Sequence, residues 1–160
     1  KVKAYFTALG NGWKVSPSWN EDNHHRGWGD SKKATLIWAP KLTRQSVRQA
    51  VAANRTLATD DDTSRMKMLA DGACWMGSQL HGVGPTKISV ELSDKQAADG
   101  FGLVRLLRPN GKLVDSKDCN GKNPCTVNFK FVVKKRSHYV VIARQDDGDV
   151  IVSGPIWYAP

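Results

Sequence analysis

The sequence predicts an α+β protein: a short α/β segment over residues 1–59, then an antiparallel β-sandwich over residues 60–160. Two observations predict it. Apolar residues recur at helical spacing in two stretches, both before residue 60. Beyond Arg65 they alternate at a spacing of two, between turn-forming residues at regular intervals. With 160 residues, 40% of them apolar, the chain has the length for one domain, or one domain with an appendage, and enough material for a core.

The elements follow in order. Val2, Tyr5, Phe6 and Leu9 fall on one helical face, and Gly10 and Gly12 stop the helix. GWKVSPS alternates Trp13 and Val15 with polar residues and ends at Pro17, which reads as a strand. ATLIWA, from Ala34 to Ala39, is a second short strand. Thr43 is a good N-cap for a helix, with Leu42 and Val47 spaced for a hydrophobic staple. Val47, Ala50 and Val51 form its apolar stripe, Arg44 and Arg48 its solvated face, and Asn54 its C-terminal residue. Asp60-Asp61-Asp62 carries calcium-type ligands but lacks the EF-hand spacing, so it reads as a solvated turn. KISVELS, GLVRLLRP, TVNFKFVVK and SHYVVIAR then give strands. Asp147-Gly148 turns the chain into DVIVS, and GPIWYAP closes it.

Charge is uneven. Residues 1–59 hold ten Lys/Arg and three Asp/Glu, a net +7; residues 60–160 hold fourteen and twelve, a net +2. The excess favours anionic partners: nucleic acid, phosphorylated metabolites or acidic polysaccharide. No apolar run approaches the ~18–20 residues of a membrane-spanning helix. The chain starts at Lys1 with no apolar leader, and reads as mature, trimmed or excised. Cys119 and Cys125 flank the polar turn DCNGKNPC, where a disulfide is expected and with it an oxidising compartment. Cys74, in ACWMG, reads as a buried free thiol.

The stretch that concentrates chemistry is NEDNHHRGWGD, Asn20 to Asp30. Asp22 and His24 are two apart, so in an extended loop both face one side. A carboxylate oxygen with an imidazole nitrogen suits Zn, Mn or Fe, although two or three ligands do not make a tight site. His25 faces the other way and is a second ligand, a phosphate contact or a bystander. His81 and His138 lie among the strands without ligand spacing.

The run GWKVSPSWNEDNHHRGWGD, then LTRQSVRQAVAANRTLATDD, then SGPIWYAP resembles the C-terminal part of PHP-type metal-dependent phosphoesterases, in their secreted, CehA/McbA-like branch. The matching positions are Asp22 and His24 of a D-x-H motif, the pair Trp28-Gly29, and the helix start Leu42-Thr43-Arg44. Arg55-Thr56 with Ala58-Thr59, and Pro155-Ile156-Trp157 at the end, complete the pattern. The resemblance implies that residues 1–59 end a β/α-barrel-like unit and that Asp22 and His24 ligate a divalent metal (Zn, Mn or Fe). It also implies a metal-activated hydroxide as the attacking group, and a phosphate ester held by basic surroundings. His25, Arg26, Trp28 and Arg55 are the candidate substrate contacts. Leu57 stands where the family commonly has Tyr, and the family's early H-x-H and middle Glu and His ligands have no counterpart here. The metal site in this chain is therefore expected to be incomplete: either a separate N-terminal chain of the same protein is its partner, or the chain is a released or reused C-terminal piece.

Two functions compete. One is the C-terminal portion of a secreted or periplasmic bacterial phosphoesterase, acting on phosphodiesters or nucleic acid. The other is a non-catalytic basic β-sandwich binding nucleic acid or acidic polysaccharide. For the second, Trp13, Trp19, Trp28 and Trp38 lie within the first forty residues beside Lys and Arg. Trp38, Trp75 and Trp157 are expected to cover the junction of helix, loop and sandwich. A toxin or antimicrobial fragment has only the charge behind it.

Overall fold

The computed structural model describes residues 2–160. Two sheets, antiparallel except for one strand pair, face each other across an apolar core. The smaller is built from β3 (Ser64–Ala70), β4 (Cys74–Trp75), β6 (Gly84–Asp94) and β9 (Cys125–Val133), in the order β4-β3-β6-β9. Its inward residues alternate as the sequence alternates: Met66 and Met68, then Ile88, Val90 and Leu92, then Val127 and Phe129, all buried.

The larger sheet centres on β10 (Ser137–Gln145). One edge of β10 pairs with β7 (Phe101–Arg108), which in turn pairs with β8 (Lys112–Lys122). β11 (Val150–Val152) and β12 (Ile156–Ala159) also pair with β10. β12 pairs in parallel with β5 (Gln79–His81). β11 pairs with β2 (Thr56–Thr59), and β2 with β1 (Ala34–Ile37).

The helix α1 (Val2–Gly10) lies on the outer face of this larger sheet. Phe6 and Leu9 pack with Leu107, Val140 and Val152. That explains why HYVVI in β10 reads as an unbroken apolar run: Tyr139 and Val141 face the inter-sheet core, while Val140 and Ile142 face the helix. The stop at Gly12 is as expected, with φ +85° and the Trp13 amide donating to Ala8. The second helix, α2 (Arg44–Ala52), starts with the Thr43 hydroxyl accepting from the Ser46 amide. Asn54 adopts φ +56° just beyond its end.

The fold class expected for residues 1–59 is corrected here. Among the described residues no α/β unit and no barrel end forms, and they build a β-sandwich-like fold with two short α-helices. GWKVSPS is not a strand. It is held sideways by side chains: Ser16 bonds the Thr56 hydroxyl, and Thr56 donates to the Pro17 carbonyl at 2.9 Å. β1 and β2 are antiparallel partners, and β2 finds its second neighbour in β11, so the edge a barrel would have needed to close is already paired. The expected staple also fails, because Leu42 is 98% exposed. Asp61 is not in a solvated turn; it is 3% exposed.

The disulfide joins Cys119 of β8 to Cys125 of β9, and so bridges the two sheets at their edge. Cys74 is a free, half-buried thiol beside the core. No helix among the described residues is long and apolar enough to cross a membrane.

Gly77 shows how tightly the loops meet. A Cβ there would lie 1.9 Å from the Ala53 carbonyl oxygen, and its φ is +89°. Its amide donates to Pro155 at 2.7 Å, tying the end of α2 to the PIW stretch.

Candidate functional site

The loop of residues 20–31 folds around two of its own polar side chains. Glu21 accepts from the amides of Gly29 (3.2 Å) and Ser31 (2.9 Å). Asn23 accepts from the His25 amide at 2.8 Å and donates to the Gly27 carbonyl at 3.3 Å. The Trp28 indole N–H closes the turn on the His25 carbonyl. Asp22, at φ +52°, occupies a left-handed conformation that a short polar side chain tolerates.

Within this frame, Asp22 Oδ1 and His24 Nε2 lie 3.3 Å apart, with side chains 90% and 80% exposed. The two groups lie within hydrogen-bonding reach of each other. His25, Arg26 and Trp28 project from the same loop into solvent, Trp28 at 78% exposure. Beside them runs an open groove lined by Trp19, Asn20, Trp28, Lys33 and Thr35. Trp19 is tied to β1: its amide donates to the Thr35 hydroxyl, which in turn donates to the Trp19 carbonyl, each at 2.8 Å. The Lys33 ammonium sits 5.2 Å from the Trp19 ring centroid and pairs with Asp60 at 3.1 Å.

Arg55 is not brought to this loop. It precedes Thr56, which pairs with Ile37, whereas the loop enters β1 at the opposite end, where Ala34 pairs with Thr59. Of the remaining tryptophans, Trp38 and Trp75 form a tilted ring pair with centroids 5.6 Å apart, and the Trp38 N–H donates to the Met66 carbonyl at 2.7 Å. Trp157 packs with the α1 cluster. Trp13 is 64% exposed.

A second polar cluster was not expected as a site. Asp61 after β2, Asp94 at the end of β6 and Asp99 beyond it place carboxylate oxygens within 4.8 Å of one another. Burial works to raise the Asp61 carboxyl, but hydrogen bonds with Asp94, Thr63 and Gln145 outweigh it and hold it below the usual range. Burial, and the Asp61 carboxyl beside it, push Asp94 up. The sequence offered only one signal for this cluster, the run Asp60-Asp61-Asp62. Its other members are supplied by tertiary folding.

No family model and no curated protein matches this chain. Among solved structures, it is similar to the sulfur carrier protein SoxY from Chlorobium limicola, with 11% identity and TM-score 0.40 over 61% of this chain and 80% of that one. It is also similar to the PmoD soluble domain from Methylocystis sp. (8%, 0.40, 60% and 90%). A third is a lytic polysaccharide monooxygenase from Jonesia denitrificans (13%, 0.37, 81% and 78%). Similarity this low says nothing about activity.

Proposed function

We propose that this chain is the C-terminal portion of a secreted or periplasmic metal-dependent phosphoesterase, hydrolysing phosphodiesters or nucleic acid. In this reading Asp22 and His24 complete a divalent metal site whose other ligands come from a separate N-terminal part. The observation that carries it is the donor pair itself. A carboxylate oxygen and an imidazole nitrogen converge at 3.3 Å, strongly exposed, on a loop whose shape is set by other residues, Glu21 and Asn23. Two donors hold an ion weakly, and a catalytic site needs about three protein ligands, so an exposed, prearranged pair is the form a contributed half-site takes. The ion would supply an activated hydroxide or polarise the phosphoryl oxygen. His25, Arg26 and Trp28 stand where an anionic substrate would meet them; Arg55 enters only through the sequence pattern. The Cys119–Cys125 disulfide supports an oxidising compartment.

The test is hydrolysis of an activated phosphodiester by the protein together with any co-purifying N-terminal chain. Asp22→Ala and His24→Ala should each lower the rate on the order of a hundredfold or more, with the fold intact. Unchanged rates in both variants, or full activity of residues 1–160 alone, would refute the proposal.

The exposed Trp28 and Trp13, in a segment of net +7, favour a second reading: a non-catalytic module binding nucleic acid or acidic polysaccharide. Salt-sensitive binding that survives EDTA and the loss of Asp22 and His24 would select it.

A further inference from the structure

The sandwich has an open seam. β8 is an edge of the larger sheet and pairs only with β7, while β9 is an edge of the smaller sheet and pairs only with β6. No hydrogen-bonded ladder joins these two edges, and the Cys119–Cys125 disulfide ties them at one end. At the other end, Leu113 of β8 and Phe131 of β9 line a cavity of about 340 Å³. Its size falls within the ~300–1,000 Å³ of ordinary small-ligand sites.

The walls of this cavity are core positions left uncovered. Val127, Phe129 and Phe131 are successive inward positions of β9, and only the first two are buried. Phe131 is half-buried, with its ring centroid 4.5 Å from that of Tyr139 in the larger sheet. Val114 of β8 is likewise only partly covered by the core it packs on. Leu113 and Val132, 56% and 55% exposed, add apolar surface open to solvent.

The charged lining is of one sign. Arg108, Lys134 and Lys135 contribute to it, and no carboxylate does. Among the described residues, none of these three cations has an ion-pair or side-chain hydrogen-bond partner. Tyr139, 5% exposed, adds a hydroxyl that also has no hydrogen-bond partner among the described residues.

Uncovered apolar walls fit an apolar occupant, and unpaired cations fit an anion. A planar guanidinium beside two ammonium groups suits the oxygens of a carboxylate. An apolar cavity of ~150 Å³ holds benzene, so this one has room for a chain of roughly a dozen carbons. We propose that the seam binds a medium-chain fatty acid. Its alkyl chain lies against Val114, Phe131 and Tyr139, and its carboxylate is held by Arg108, Lys134 and Lys135. A polyanion would use the cations and leave the apolar walls uncovered. A flat lipid surface would meet Leu113 and Val132 without reaching Phe131 between the sheets. The cavity shares no residue with the groove beside the Asp22 loop, so it stands whether or not that loop completes a metal centre.

The test is calorimetric titration of the chain with sodium dodecanoate, kept below the concentration at which micelles form. One dodecanoate should bind per chain. Decanoate should bind about tenfold more weakly, because two fewer methylene groups are buried. Dodecyltrimethylammonium, with the same chain and a cationic head, should not bind. Arg108→Gln/Lys134→Gln/Lys135→Gln should weaken dodecanoate binding about tenfold or more. Its Tm should stay within about 2 °C of the parent, since all three side chains are exposed. No saturable binding of monomeric dodecanoate, equal affinity for decanoate, or unchanged affinity in the triple variant would overturn the proposal. So would binding to phosphatidylglycerol vesicles without binding of dodecanoate, which would give this face to an anionic membrane.

Discussion

The loop at Asp22 and the pole at Asp61 both gather acids and polar groups, and they are built in opposite ways. The loop's donors are two residues apart, almost fully exposed, and positioned by hydrogen bonds within twelve residues of chain. The pole's donors are far apart in sequence, with Gln145 reaching back 84 residues to Asp61, and they sit on the ends of packed strands. The pole therefore stands or falls with the core, while the loop can be altered without touching it. This difference fits the loop's proposed role: a contributed half-site must face outward to meet its missing ligands.

Four substitutions press on that contrast, beginning with the largest expected effect. Phe129 is 0% exposed between the sheets, and Phe129→Ala should cost about 3–5 kcal/mol in urea unfolding. The loop counterpart, Trp28→Ala, should stay within about 0.5 kcal/mol of the parent, because Trp28 is 78% exposed. If the two variants were equally destabilised, the separation of loop from core would be wrong. Thr43→Ala removes the cap of α2 and should cost about 1 kcal/mol by the same assay. It should leave the geometry of the Asp22 loop unchanged, read as unmoved amide resonances of residues 21–31.

The fourth concerns pH. His138 is 5% exposed with Nε2 unpartnered, and burial holds its imidazole below the usual value of 6.5. Above 6.5 neither the folded nor the unfolded chain binds the proton. As pH falls through 6.5 the unfolded chain takes it up and the folded chain does not, so stability falls until the folded value is reached. Between pH 7.5 and 5.5 the parent should lose more stability than His138→Phe. Parallel losses would show that this histidine is not the source.

Legibility follows the same division. α1 and α2 were readable because their apolar spacing and caps are local. So were β6, β9 and β10, whose alternation is strong. β8 was not, because KLVDSKDCNGK is largely polar on both faces; it is an edge strand paired only with β7. GWKVSPS misled because alternation alone does not supply a partner, and Ser16 and Pro17 are held through Thr56 instead. The D-x-H loop was visible as a motif, whereas the pole was invisible except for Asp60-Asp61-Asp62, since no spacing rule links Asp61, Asp94 and Gln145.

The half-site is tested most directly by zinc titration of the chain, followed by NMR of its four histidine rings. The account predicts that the His24 ring resonances move, that those of His81 and His138 do not, and that Asp22→Ala weakens the effect. Stationary His24 resonances, or an identical titration in Asp22→Ala, would contradict it.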